Sequence, residues 1–220
     1  MSYIFHSMSL TRRSPILSLL LGCCAALLTG CQGQTPASEQ GDYLTKLAAF
    51  RAAKDTDFRN APGEPVPRES ADRLIPLSYF PPDLDYVVPA TLKLAPERDV
   101  IEMPTSTSEV RKEERVGMLE FTVKGHQLTL SAFVEAGAKD VDRLFVPFRD
   151  LTSGTETYQA GRYIDLERTP TGIYNIDFNR AYHPYCYYNS KFDCPYPPHE
   201  NRLPVPIRAG ERLPPSQPSH

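Results

Sequence analysis

The sequence predicts a mostly β (α+β) domain, in which short antiparallel strands form a barrel- or sandwich-like core with one N-terminal helix. Three observations carry that reading. Two-residue alternation runs through 116–135, where Leu119, Phe121 and Val123, then Leu128, Leu130, Ala132 and Val134, take every second place. Turn residues separate apolar runs, as in Lys124-Gly125-His126 and Thr169-Pro170-Thr171-Gly172. Helical periodicity is confined to residues 42–59.

The elements follow in order. Residues 42–59 put Leu44, Leu47, Ala48 and Arg51 on one stripe, with Asp42 as N-cap and Asn60-Ala61-Pro62-Gly63 as the stop. Residues 61–86 are rich in Pro and charge and read as a loop that packs down at 74–80. A strand is expected at 87–94, where Pro89 favours the edge of a sheet, and another at 99–103. The charge run 109–115 reads as a solvated face or loop, and 116–135 as a hairpin. An apolar strand is expected at 144–148, and a second hairpin from 162–167 and 173–178. In it Tyr174, Ile176 and Phe178 share one face. A last edge strand is expected at 203–207.

A chain of 220 residues holds one domain, or two. With 40% hydrophobic and 23% charged residues it is neither wholly disordered nor a multi-span membrane protein. A net charge of -3 argues against nucleic-acid binding, which needs clustered Lys and Arg. The N-terminus carries an address. Arg12 and Arg13 precede an apolar run over 16–28, which ends in Leu28-Thr29-Gly30-Cys31. That ending resembles a bacterial lipobox, in which the signal is cut before the Cys and the Cys is acylated. Residues 1–30 are thus expected to be a lipoprotein signal peptide, 31–41 a polar tether, 42–212 a single β-rich domain, and 213–220 a disordered Pro-rich tail. Loss of Arg12 and Arg13 with no acid takes the mature charge from -3 to -5. The expected location is the cell envelope, with a membrane as partner through the lipid on Cys31.

Cys23 and Cys24 leave with the signal, so Cys186 and Cys194 remain as a pair. Export favours a disulfide between them. The alternative is tetrahedral zinc on His183-x2-Cys186-x7-Cys194-x4-His199, a spacing that fits no common zinc ribbon or finger, so no metal site is assigned. No GxSxG elbow, Gly-rich phosphate loop or HExxH occurs, and no cofactor is expected.

Residues 145–211 hold the unusual chemistry. They include Phe145-x-Pro147-Phe148-x-Asp150-x-Thr152-x-Gly154, Gly161-Arg162-Tyr163, Asp177-Phe178-Asn179-x-Ala181-Tyr182, Cys194-Pro195-x-Pro197-Pro198-x-Glu200-Asn201 and Ala209-Gly210-Glu211. The segment resembles the signature of an uncharacterised, mainly bacterial family, domain of unknown function number 1684, and the resemblance extends over 42–212. It implies no activity. His183 departs from it, at a place where the family pattern implies Asn.

Physically, Asp150, Arg162, Asp177, Asn179, Glu200 and Asn201 are expected to gather at one rim, ringed by Tyr158, Tyr163, Tyr182 and Tyr185. Such a rim would bind a polar ligand, with Arg162 gripping a carboxylate or phosphate bidentately. Each residue also has an architectural reading. Asp150 and Asn179 suit Asx-turns, Arg162 and Asp177 a cross-strand pair, and the tyrosines a core without Trp. Two further functions stay open. One is an envelope hydrolase of a glycan or peptide, with Asp150 and Asp177, or Asp177 and Glu200, as acid and base ~5–10 Å apart. The other is a structural or assembly lipoprotein.

Overall fold

A computed structural model describes residues 37–60, 65–138, 143–167 and 169–214. The expected signal peptide, Cys31, tether residues 31–36 and tail residues 215–220 lie outside the described residues.

The first helix, α1 (Ala37–Asn60), starts at residue 37 instead of 42, because Ala37-Ser38-Glu39-Gln40 carry no helix breaker. Asp42 therefore lies inside the helix. The docked face also differs from the expected one. Leu44 and Ala48 are exposed, whereas Tyr43, Leu47, Arg51, Lys54 and Phe58 turn toward the domain at helical spacing. That stripe is polar-tipped, so a search for apolar periodicity passes over it. A short helix, α2 (Arg68–Leu74), follows Pro67 in the stretch expected to be a loop. Its end and that of α1 enclose a small second core of Phe58, Val66, Ile75, Leu77 and Tyr188.

Seven strands form one antiparallel sheet: β1 (Val87–Leu94), β2 (Val100–Pro104), β3 (Val110–Val123), β4 (His126–Glu135), β5 (Arg143–Phe148), β6 (Arg162–Glu167) and β7 (Ile173–Asp177). The order is β6-β5-β4-β3-β1-β7, with β2 also on β3. The ends β6 and β7 approach each other without a ladder among the described residues, giving a nearly closed barrel. The expected β6–β7 hairpin is thus corrected. β6 bonds to β5 and β7 to β1, and Gly172 O in the connecting turn accepts from Leu92 N at 2.9 Å.

β1 and β2 run in succession along one edge of β3, like one strand interrupted at 95–99. The ladder between β3 and β4 shifts register between Arg115 and Gly117. Glycine is required at 117, because a Cβ there would stand 2.3 Å from Lys93 O. Residues 110–115 belong to β3 and are not a loop; pairing with β2 and β4 satisfies their backbone whatever their charge. β1 is an interior strand, not an edge. Leu92 N donates toward β7, so alternation aims the missing N–H of Pro89 at β3, one position past the last β1–β3 pair at Ala90.

The alternation read from the sequence holds inside the barrel. Leu119, Phe121, Val123, Leu128, Leu130, Ala132 and Val134 are all buried there, with Ile164, Leu166, Tyr174, Ile176 and Phe178 from the other wall. Residues 203–207 are buried at Leu203 and Ile207 but form no strand. Leu203 N donates to Arg149 O at 2.7 Å and Val205 O accepts from Leu151 N at 3.3 Å, but Pro204 and Pro206 have no N–H to extend this into a ladder.

Candidate functional site

Arg162 shares the inward face of β6 with Ile164 and Leu166 and is fully enclosed. Its Nη2 donates to Asp150 Oδ2 and to Ile207 O, both at 2.7 Å. Its Nη1 donates to Ala209 O and, at 3.2 Å, to Glu211 O. Asp150 Oδ1 accepts from Thr152 N at 2.6 Å and from Ile207 N at 3.4 Å. Burial pulls the Arg162 pKa down, and Asp150 opposes it. Both Nη atoms are spent on the chain itself, so Arg162 clamps residues 207–211 and offers no fork to a ligand. The cross-strand pair with Asp177 does not form; Asp150 takes that place.

Asn201, in the 3-10 turn His199–Asn201, is buried as completely. Its Oδ1 accepts from Ser131 N at 2.7 Å, and its Nδ2 donates to Ser131 O at 2.9 Å and Pro147 O at 2.7 Å. It fills the gap between β4 and β5, which share the single register pair Phe133 and Phe145, where Pro147 has no N–H to give. Asn179 clamps another loop: its Oδ1 accepts from Asp83 N at 3.0 Å and its Nδ2 donates to Asp83 O at 2.8 Å. Asp177 accepts from Asn179 N at 3.0 Å and from the Tyr43 hydroxyl of α1 at 3.0 Å. Glu200 is exposed and pairs with Arg115 at 2.6 Å. The expected common rim is therefore not built: each of the three carboxylates has its own partner in a different place.

One charged cluster escaped the sequence reading. Glu211, 1% exposed, accepts from Lys54 Nζ of α1, from His183 N at 2.7 Å and from the Tyr188 hydroxyl at 2.7 Å. Gly210 aims it inward. With φ +78° and a virtual Cβ 2.5 Å from Ala181 O, position 210 admits no side chain. Burial alone would raise the Glu211 pKa, but Lys54 and His183 hold it below the ordinary carboxylate value. Burial pushes His183 down to about 3 against the pull of Glu211, so its Nε2 stays an acceptor, here for Tyr158 N at 3.2 Å. The signal was present in Ala209-Gly210-Glu211, a left-handed Gly followed by an acid. Lys54 carried none.

Two of the expected residues, Tyr163 and Tyr182, meet in a cleft of about 920 Å³ between α1, the outer face of β5 and β6, and residues 182–195. That volume suits a small ligand. The Tyr163 ring packs edge-on against Phe145 at 4.8 Å and Tyr182 at 5.8 Å, and Phe50, Tyr185 and Phe192 extend the aromatic lining. Tyr163 donates to Pro195 O, and Tyr182 to Asp165 at 2.9 Å. Burial raises both phenols, so they remain protonated donors. Among the cations of the cleft, Lys54 is held by Glu211, and Arg111 donates to Asp193 O at 2.9 Å. Arg143 is exposed beside them, with no ion pair among the described residues.

Cys194 is buried and lines the cleft; Cys186, in the short helix α3 (Tyr185–Tyr188), is half-buried. Both thiols are free, so the expected sulfur–sulfur bond is not formed here, although Cys186 N donates to Cys194 Sγ at 3.2 Å. The zinc alternative does not assemble. His183 faces Glu211, His199 is exposed, and among the described residues no three His, Cys, Asp or Glu side chains converge as metal ligands.

The family model described as "Protein of unknown function (DUF1684)" matches residues 74–212. The solution NMR structure of the uncharacterized protein from gene locus rrnAC0354 of Haloarcula marismortui is 37% identical, with a TM-score of 0.64, over 80% of this chain and 97% of that one. A comparison with curated proteins finds no match.

Proposed function

The chain belongs to this family of unknown function, and we propose that its domain is a binding module that takes a polar ligand in the cleft. The observation that carries the reading is Arg143, exposed beside Phe145 and Tyr163 on the outer wall with no ion pair among the described residues, where Lys54 and Arg111 are already engaged. Aromatic rings present flat apolar faces to a sugar or peptide plane. An exposed guanidinium adds a bidentate grip on a carboxylate. The ligand class is therefore a glycan or peptide fragment with an acidic group.

The reading includes export and anchoring: a signal over 1–30, acylation at Cys31, and a domain held at a membrane of the envelope, each buried CH₂ contributing ~0.8 kcal/mol. The sequence pattern alone supports that part. Mass spectrometry of the native protein tests it: an acylated Cys31 at the N-terminus is expected, and an intact Met1 would contradict it. The cleft is tested by thermal shift against N-acetylated sugar oligomers and short peptides with free carboxylates. A binder raises the unfolding midpoint. Arg143→Ala should weaken that binder at least about tenfold, given 1.5–3 kcal/mol for a hydrogen bond to charge, with the unliganded midpoint unmoved. Equal binding by Arg143→Ala would refute the site.

A further inference from the structure

We propose that Cys186 and Cys194 form a reversible dithiol that exchanges with disulfides, Cys186 attacking and Cys194 resolving. The inference stands apart from the cleft ligand and rests on how the pair is held. The two cysteines lie eight residues apart, and Cys186 N donates to Cys194 Sγ at 3.2 Å. The fold keeps them together without a covalent bond. Ser106 N donates to Cys194 O at 3.0 Å, Cys194 N donates to Ser106 Oγ at 3.1 Å, and Tyr196 N donates to Pro104 O at 2.8 Å. Tyr163 adds a bond from its hydroxyl to Pro195 O. The end of β2 and the outer wall of β6 therefore fix 194–196 in place in the reduced state, and a staple is not needed to form it.

The pair is also asymmetric. The Cys194 thiol, and more weakly the Tyr158 hydroxyl, bring Cys186 down to about 6 against burial, which favours its thiolate at neutral pH. The bond to Cys186 and burial push Cys194 up, which suits a thiol that acts second. The groups that face the pair are the Ser106, Tyr158 and Tyr163 hydroxyls and the Arg111 guanidinium. Cys186 is the half-buried, reachable member.

The chemistry balances with a disulfide RSSR as oxidant. The Cys186 thiolate attacks one sulfur, the RS–SR bond breaks, and the leaving thiolate takes a proton from water. Cys194 then loses its proton and attacks the Cys186 sulfur. The Cys186–Cys194 bond forms and a second RSH departs, so one dithiol is oxidised and one disulfide is reduced to two thiols.

Oxidised and reduced glutathione serve as the probe. The reduced full chain is equilibrated with them in a series of ratios, and Cys186 and Cys194 are read site by site in alkylated peptides by mass spectrometry. The expected result is one two-electron transition between dithiol and intramolecular disulfide, reversed by excess reduced glutathione without unfolding. Cys194→Ala should stop at a mixed disulfide on Cys186. Alkylation of Cys186 should follow a pH midpoint near 6, and Tyr158→Phe should raise it. Thiols that stay reduced at every ratio, a bridge reducible only in denaturant, or an alkylation midpoint near the ordinary thiol value would each overturn the proposal, the wild-type measurements deciding it even where a variant fails to fold.

Discussion

Inside the barrel, Leu119, Leu130, Val146, Ile164 and Ile176 meet with no polar atom among their side chains. Beneath α1 the contact is the reverse: Tyr43, Arg51, Lys54 and Asp55 reach Asp177, Asn179 O, Glu211 and Leu77 N. The difference is one of tolerance. An apolar interior loses free energy in proportion to the atoms removed. A buried polar layer loses more when one partner goes, because the other stays dehydrated and unpaired.

The difference in tolerance is tested most sharply at Arg162, a buried polar clamp on the inward face of β6 itself. Arg162→Ala strands Asp150 and three carbonyls, and should cost about 4 kcal/mol in denaturant unfolding. Leu130→Ala, a cavity in the apolar interior, should cost about 3 kcal/mol. The reverse order would mean that the clamp contributes little.

Acid should act on the polar layer first. His183 titrates near 3 when folded against an ordinary 6.5, so the unfolded chain binds more protons between those values. Its contribution is complete above pH 6.5 and is lost as pH falls toward 3. Protonation turns Nε2 from acceptor to donor, facing Tyr158 N. Stability should drop on the order of 1 kcal/mol per pH unit below the ordinary value. Glu211, held below its ordinary pKa, adds to the loss only under about pH 4.5. His183→Asn should flatten the slope between pH 6.5 and 4.5 in chemical denaturation; an unchanged slope would move the titrating group elsewhere.

Smaller effects refine the comparison. Tyr43→Phe removes one hydroxyl from Asp177 and should cost about 1 kcal/mol, or about 2–4 °C in midpoint. Glu200→Gln breaks an exposed pair with Arg115 and should cost less than about 0.5 kcal/mol by the same assay. If the two were equal, α1 would be docked no more firmly than a surface ion pair.

The two regions were also unequally legible. Period-two alternation exposed the barrel, because inward residues must be apolar at every second place. Leu128 to Val134 is the clearest case. Strand partners were not legible. β6 and β7 follow one another across a turn sequence yet bond to β5 and β1, since neighbours are chosen by barrel closure. Among the candidate residues, Arg162 with Asp150, Tyr163 with Tyr182, and Asp177 with Asn179 do meet, in three separate places. Asp177 and Glu200 do not reach Arg162, because Tyr43 and Arg115, both distant in sequence, hold them elsewhere. Lys54, at the heart of the polar layer, sits on a helix whose docked stripe mixes Tyr, Arg and Lys, which no hydrophobic pattern reveals.

The cleft is the claim on which function turns. Amide NMR spectra of the ¹⁵N-labelled chain, titrated with an N-acetylated sugar–peptide fragment bearing a free carboxylate, test it residue by residue. The account predicts shifts concentrated at Arg143, Phe145, Tyr163, Asp165, Tyr182 and Tyr185. Shifts confined to other surfaces, such as the groove along Lys93, Glu97 and Glu120, or no shift at all, would contradict it.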